Sequence, residues 1–115
     1  MTGAEMIAEE RLRQIREEGW SHHHDDEHPP GVLAAAADCY LYLTHSVEAP
    51  PDAAGLLWPW HPSWFKPKDT RSNLIRAGAL YLAEAERWKR AGNDEQSDKY
   101  RMLAADVAMR IDELS

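Results

Sequence analysis

Apolar residues recur along this chain at helical spacing, and no stretch alternates apolar and polar as a half-buried strand would. The first pattern predicts a helix from about Ala4 to Glu18. Thr2 and Glu5 form a T-x-x-E capping box, in which each side chain satisfies a free backbone N–H at the helix start. Ala8, Leu12 and Ile15 fall at i, i+4 and i+7 and are the expected core face. Ile7 flanks that face, and Arg11 lies at its edge. Gly19 is the expected stop, and Trp20 turns back toward the body.

The second pattern runs from about Gly31 to His45, just after Pro29-Pro30. Val32 to Leu43 is apolar on nearly all sides, which predicts a helix central in its domain. Asp38 is the one charge inside it, and a buried charge has to be paired. The third pattern starts at Asp69 or Thr70, both good caps, and stops at Gly92. Leu74, Gly78, Tyr81, Ala85 and Trp88 make one stripe, and Ile75, Ala79, Leu82 and Glu86 make the next. The fourth pattern is capped by Asn93 and ends near Glu113, with Tyr100, Leu103, Val107, Ile111 and Leu114 as its apolar stripe. Glu84 and Arg87 read as helix-surface pairs.

These patterns predict an all-α fold: a single-domain bundle of about four helices over residues 1–115, with a long Trp/Pro-rich loop between helices 2 and 3. Residues 48–55, rich in Pro, Ala and Asp, are the stretch expected to be mobile. Leu56 to Lys68 carries four aromatics, Trp58, Trp60, Trp64 and Phe65, which argue for a loop packed on the body.

Composition narrows the function classes. The chain has 115 residues with 13 Lys+Arg against 20 Asp+Glu, a formal charge of −7. That disfavours bulk nucleic acid and anionic membranes, which need a basic face, but leaves room for a small anion in a local basic pocket. A single cysteine, Cys39, allows no intrachain disulfide and fits a reducing cytoplasm. Its place in an apolar helix suits packing better than nucleophilic chemistry. No apolar run approaches a membrane span, and Met1 to Gly19 is too charged for a signal peptide. P-loop, G-x-G-x-x-G, G-x-S-x-G and H-E-x-x-H motifs are missing.

Two groups of residues carry candidate chemistry. Trp20 to His28 holds four of the six histidines together with Asp25, Asp26 and Glu27. His24, Asp25, Asp26 and His28 are candidate ligands of a divalent metal, a mixed set suited to Zn, Mn, Fe or Ni. The blander reading makes the same residues caps and hydrogen-bonding loop groups. The second group combines cations with tryptophans. Arg71 lies at the start of the third helix, where free N–H groups and the helix dipole favour phosphate. Arg11, Lys66 and Arg76 add charge, Trp58, Trp60 and Trp64 offer faces for stacking a base, and Trp20 joins the ligand-binding set. Arg71 and Arg76 diverge by about 140° on a helix, so Arg71 is expected to meet phosphate while Arg76 holds the acidic loop through Asp25 or Asp26. The blander reading has the arginines paired with acids and the tryptophans sealing the core.

The chain resembles a family of small, mostly uncharacterised phage and prophage proteins. The resemblance rests on Glu10-Arg11, Gln14, Glu18-Gly19-Trp20, His24 to His28, Leu33 to Ala37 with Tyr40, Trp58-Pro59-Trp60, Trp64 to Pro67, Arg71, Asn73 to Leu80, Ala83-Glu84 and Glu86-Arg87. It covers about residues 8 to 90 and implies a phage origin and the host cytoplasm, with no settled activity. Over fewer positions (Gly19-Trp20, Asp26, His28-Pro29 and Leu33) the chain is similar to ryanodine-receptor-type domains, which implies a nucleotide-like ligand.

The resulting expectation is a cytoplasmic binding protein for a phosphate-bearing, nucleotide-like small molecule, one that sequesters a host immune signal. Arg11, Trp20, Trp60, Trp64, Lys66, Arg71 and Arg76 would form the site. The alternatives are a metal-dependent nucleotide or phosphoester hydrolase built on the His/Asp cluster, and a protein-interaction module using the Trp-rich loop. A homo-oligomer stays open.

Overall fold

A computed structural model describes residues 1–17, 27–42, 58–60 and 62–114. The described residues form four α-helices and one 3-10 turn, with no strand among them. The helices are α1 (Gly3–Glu17), α2 (Val32–Tyr42), α3 (Thr70–Arg90) and α4 (Asp94–Glu113), and the 3-10 turn is Pro62–Trp64. The radius of gyration, 13.3 Å, is about that of one compact domain of this length. No described helix is long and apolar enough to cross a membrane. The expected mobile stretch, 48–55, lies outside the described residues.

Local signals set the helix ends. Thr2 N–H donates to Glu5 Oε1 (3.0 Å) and Glu5 N–H to Thr2 Oγ1 (3.2 Å), the reciprocal capping box. Asp69 caps α3 by accepting from Ser72 N–H at 2.8 Å, and Asn93 caps α4 by accepting from Gln96 N–H at 3.0 Å. Gly92, at φ +82°, reverses the chain between α3 and α4. Any other residue there would be strained in the left-handed region.

α3, not α2, is the hub: it packs on α1, α2 and α4. At 21 residues it is the longest helix, and Leu74, Ala77, Gly78, Ala79, Leu80, Tyr81, Ala83 and Ala85 bury around most of its circumference. α2, with 11 residues, is rich in alanine. Small side chains let it lie close to α3 but give it too little surface to organise three partners.

The buried face of α1 is also rotated from the expected one. Gly3, Ile7, Arg11 and Gln14 are buried, whereas Ala8 and Leu12 are exposed and Ile15 is half-buried. Two glycines explain the choice. A Cβ at Gly3 would stand 2.3 Å from the Ala108 carbonyl oxygen, and one at Gly78 would stand 2.3 Å from Ile7 Cδ1. α1 therefore sits against α4 and drops Ile7 onto the bare backbone of α3. Gly3 N–H also donates to Asp112 Oδ1 at 2.7 Å, which places a carboxylate at the positive end of α1. Arg11 comes inside with the same rotation, 3.4 Å from Glu86 Oε2. Of the expected α4 stripe, Val107 and Ile111 are buried, Tyr100 and Leu103 half-buried and Leu114 exposed, while Ala104 and Ala108 are buried beside them.

Asp38 is not inside the bundle. It is an exposed residue of α2, but its Oδ1 accepts from the Tyr81 hydroxyl. Burial, and after it the hydrogen bond to Asp38, holds the Tyr81 phenol well above its ordinary pKa. Because water can replace the contact, Asp38→Ala should cost only about 1 kcal/mol, the usual net worth of one hydrogen bond. The phenol should then titrate lower, though still raised by burial. Urea unfolding and ultraviolet pH titration check the two halves. A stability loss above about 3 kcal/mol would restore the picture of a buried, paired Asp38.

Candidate functional site

One face of α3 carries the polar residues that fasten the rest of the molecule. Asn73, Ala77, Leu80, Glu84 and Arg87 follow at helical spacing, with Arg76 beside them. Asn73 is buried and grips Lys68 twice: Lys68 N–H donates to Asn73 Oδ1 at 2.8 Å, and Asn73 Nδ2 donates to the Lys68 carbonyl at 3.2 Å. Arg76 Nη1 donates to the Lys66 carbonyl, and its guanidinium lies over the Tyr40 ring, 5.8 Å from the centroid. Lys66 N–H in turn donates to the Tyr40 hydroxyl at 3.3 Å. The strand of chain leading into α3 is thus pinned at both Lys66 and Lys68.

Above this anchorage lies a run of rings. Phe65 packs on Tyr40 at 5.1 Å and on Trp58 at 4.7 Å. Trp58 meets Tyr40 edge-on at 5.8 Å and Trp60 edge-on at 5.3 Å. Trp60 reaches His28 at 5.3 Å. Offset and edge-on pairs of this kind add to what burial alone contributes. Trp58, Trp60 and Phe65 are half-buried against the core. Trp64 is different: on the 3-10 turn it is 61% exposed. Lys66, Lys68 and Arg71 are exposed beside it in sequence.

The His28 end is held as well. Arg87 Nε donates to the His28 carbonyl at 3.1 Å. Glu84 contributes the strongest tie, and it is not on the surface: it is completely buried. Its two oxygens accept from Gly31 N–H (3.2 Å) and Ala34 N–H (3.0 Å). Gly31 is the residue before α2, and Ala35 N–H donates to its carbonyl at 2.9 Å, so it holds the N-cap position without a capping side chain. Glu84 supplies that cap from another helix. The reading of Glu84 as half of a surface pair is overturned, because a carboxylate aimed at two amide donors cannot also face water.

The candidate residues therefore separate. Lys66, Arg71 and Trp64 are all exposed and fall within eight residues of one another in sequence, and Trp60 lies in the ring run. Arg76 works behind the segment as its brace. It holds the Lys66 carbonyl; its expected partners Asp25 and Asp26 lie outside the described residues, as does Trp20. Arg11 stands apart. Its partner Glu86 is ten residues beyond Arg76, about 15 Å along α3. Of the metal candidates only His28 is described, since His24, Asp25 and Asp26 lie outside. No cluster of three or more His, Cys, Asp or Glu able to hold a metal ion exists among the described residues.

Asp69 changes the anion chemistry. Its carboxylate occupies the start of α3 and takes the Ser72 N–H, which holds its carboxyl below the usual range. A phosphate beside Arg71 would meet side-chain cations, not a vacant helix terminus. Cys39 offers no nucleophile: it is fully buried, and burial, with the Asp38 charge behind it, pushes its thiol up to about 11. Compared with family models, curated proteins and solved structures, the chain has no match in any of the three.

Proposed function

We propose that the chain is a binding protein for a phosphate-bearing, nucleotide-like small molecule, received on the outer side of the Trp-rich segment. Trp64 stacks the base, and Lys66, Lys68 and Arg71 hold the phosphates. The observation that carries this reading is an exposed tryptophan among three exposed cations on a segment fastened to Tyr40, Asn73 and Arg76. An exposed indole has little apolar reason to stay in water, whereas a base offers it about 1–3 kcal/mol of stacking. The fastening means that little order has to be created on binding, which favours affinity. In a phage setting such a protein would sequester a nucleotide signal of the host. The same exposed indole also suits a protein partner, and the cluster His24, Asp25, Asp26 and His28 keeps a metal-dependent hydrolase as a further alternative.

A thermal-shift screen over mono-, di- and cyclic nucleotides, with and without Mn²⁺ or Zn²⁺, followed by calorimetry on the hit, tests the reading. Trp64→Ala should weaken binding by about 1–3 kcal/mol and Arg71→Ala by about tenfold, roughly 1.4 kcal/mol. Both variants should melt like the parent, because both residues face water. Ligand recovered unchanged after heat denaturation supports sequestration, and metal-dependent product supports the hydrolase. No nucleotide hit, together with a stable complex that Trp64→Ala abolishes in pull-down, supports the interaction module.

A further inference from the structure

The rotation of α1 leaves its sequence-apparent apolar stripe at the surface. Ala4, Ala8 and Leu12 are exposed, Leu12 to 46%, and Ile15 is half-buried. At 100° per residue these four side chains fall within about 80° of arc, next to the buried face and not opposite it. Their order along the helix is uneven. The small residues, Ala4 and Ala8, lie in the N-terminal half, and the large ones, Leu12 and Ile15, in the C-terminal half. Charge follows the same division. Glu5 and Arg16, both exposed, flank the same side of the stripe, within about 20° of each other around the axis.

We propose that this stripe is a contact between two copies of the chain, with α1 packed antiparallel on the α1 of its partner across a two-fold axis. Antiparallel pairing centred near residue 10 sets each Leu12 over Ala8 of the other copy and each Ile15 over Ala4. Large side chains then fill the spaces left by small ones, as close packing requires. A two-fold axis normal to both helices keeps each flank on its own side, so Glu5 of one copy meets Arg16 of the other, twice. Parallel pairing would instead set Leu12 on Leu12 and alanine on alanine, and its two-fold along the helices would carry Glu5 and Arg16 of the two copies to opposite flanks, where they form no pair. Size and charge thus select the same orientation independently, and an isologous contact follows from it. A helix of 15 residues contributes less area than a permanent interface needs, so the dimer belongs to the weak, concentration-dependent class.

Sedimentation equilibrium on the full chain from about 5 to 500 µM, a span bracketing dimers of that class, is the test. A monomer–dimer equilibrium is expected in that range. Leu12→Glu should raise the dissociation constant at least 30-fold with an unchanged circular dichroism spectrum, because Leu12 is exposed in the monomer. Arg16→Glu should raise it about fivefold, and adding Glu5→Lys should recover most of that loss. Orientation is read separately by oxidising a mixture of Ala8→Cys and Leu12→Cys chains, since Cys39 is buried. Antiparallel pairing gives the mixed disulfide in excess over either homodisulfide. A parent that stays monomeric at the highest concentration, a Leu12→Glu dimer as tight as the parent, or homodisulfides in excess would each overturn the proposal.

Discussion

Glu84→Ala is expected to remove about 3–5 kcal/mol of stability, a large share of what a domain of this size possesses. The side chain is fully buried, and its two oxygens are the acceptors for Gly31 N–H and Ala34 N–H. Alanine would leave both donors without their acceptor, and the Ala34 N–H is buried. Each lost bond to a charged group is worth about 1.5–3 kcal/mol. The cost is not spread evenly. It falls on the first turn of α2, where Gly31 has no side chain of its own to offer and where the carboxylate also interacts favourably with the positive end of the helix dipole. Tyr100 senses the same carboxylate: burial first, then the Glu84 charge, raises its phenol. Glu84→Gln keeps one carbonyl oxygen but turns an NH₂ toward a donor, so about half the loss is expected. Urea unfolding gives the magnitude. Amide hydrogen exchange gives the location, with protection lost first at Ala34 and Gly31. A loss under about 1 kcal/mol for Glu84→Ala would mean that the N-terminus of α2 is held by its packing alone.

The fold class and three caps were legible because their causes are local. Thr2 with Glu5, Asp69 with Ser72, and Asn93 with Gln96 are each complete within four residues. Glu84 was missed because its partners are some fifty residues away, and pair rules for helix surfaces look only three or four residues along. A signal was nonetheless present. Glu84 sits between Ala83 and Ala85, inside a run from Ala77 to Ala85 that is otherwise apolar but for Tyr81. The start of α2 meanwhile offers Pro-Pro-Gly, with no Ser, Thr, Asp or Asn to cap it. A helix lacking a cap and an acid stranded among alanines are complementary deficits.

The register of α1 was missed for a different reason. Counting apolar residues sets Arg11 at the edge of the buried face and Leu12 inside it, whereas the packing depends on where side chains are lacking at the helix crossings. Gly3 and Gly78 remove side chains at two crossing points, and the helix turns to use both. In the candidate site the ring run was legible as a packed aromatic segment, because four large rings in eight residues cannot all remain in water. The bracing role of Arg76 was not legible. The angular divergence of Arg71 and Arg76 showed that they could not share one phosphate. The carbonyl of Lys66, which Arg76 holds, is a backbone group and leaves no trace in residue types.

Gly78→Val is expected to destabilise the protein by about 3 kcal/mol, the upper end of overpacking costs. Replacing a helix-interior glycine would otherwise help, by up to about 1 kcal/mol, so the sign of the result decides which effect governs. A Cβ at Gly78 would lie 2.3 Å from Ile7 Cδ1 and 2.7 Å from Ile7 Cγ1. Ile7 is itself buried, so its side chain cannot swing out into solvent to relieve the clash. Ile7→Ala alone should cost about 2–4 kcal/mol by emptying that site. The double variant is the informative one. With Ile7 cut back to alanine, the valine methyls at position 78 occupy the vacated space. The two losses should then fall short of their sum by about 1–3 kcal/mol, the range for residues in direct contact. Chemical unfolding of the four chains gives the cycle directly. Strict additivity would mean that α1 does not rest on α3 at Gly78, and the rotation that exposes Leu12 would lose its cause.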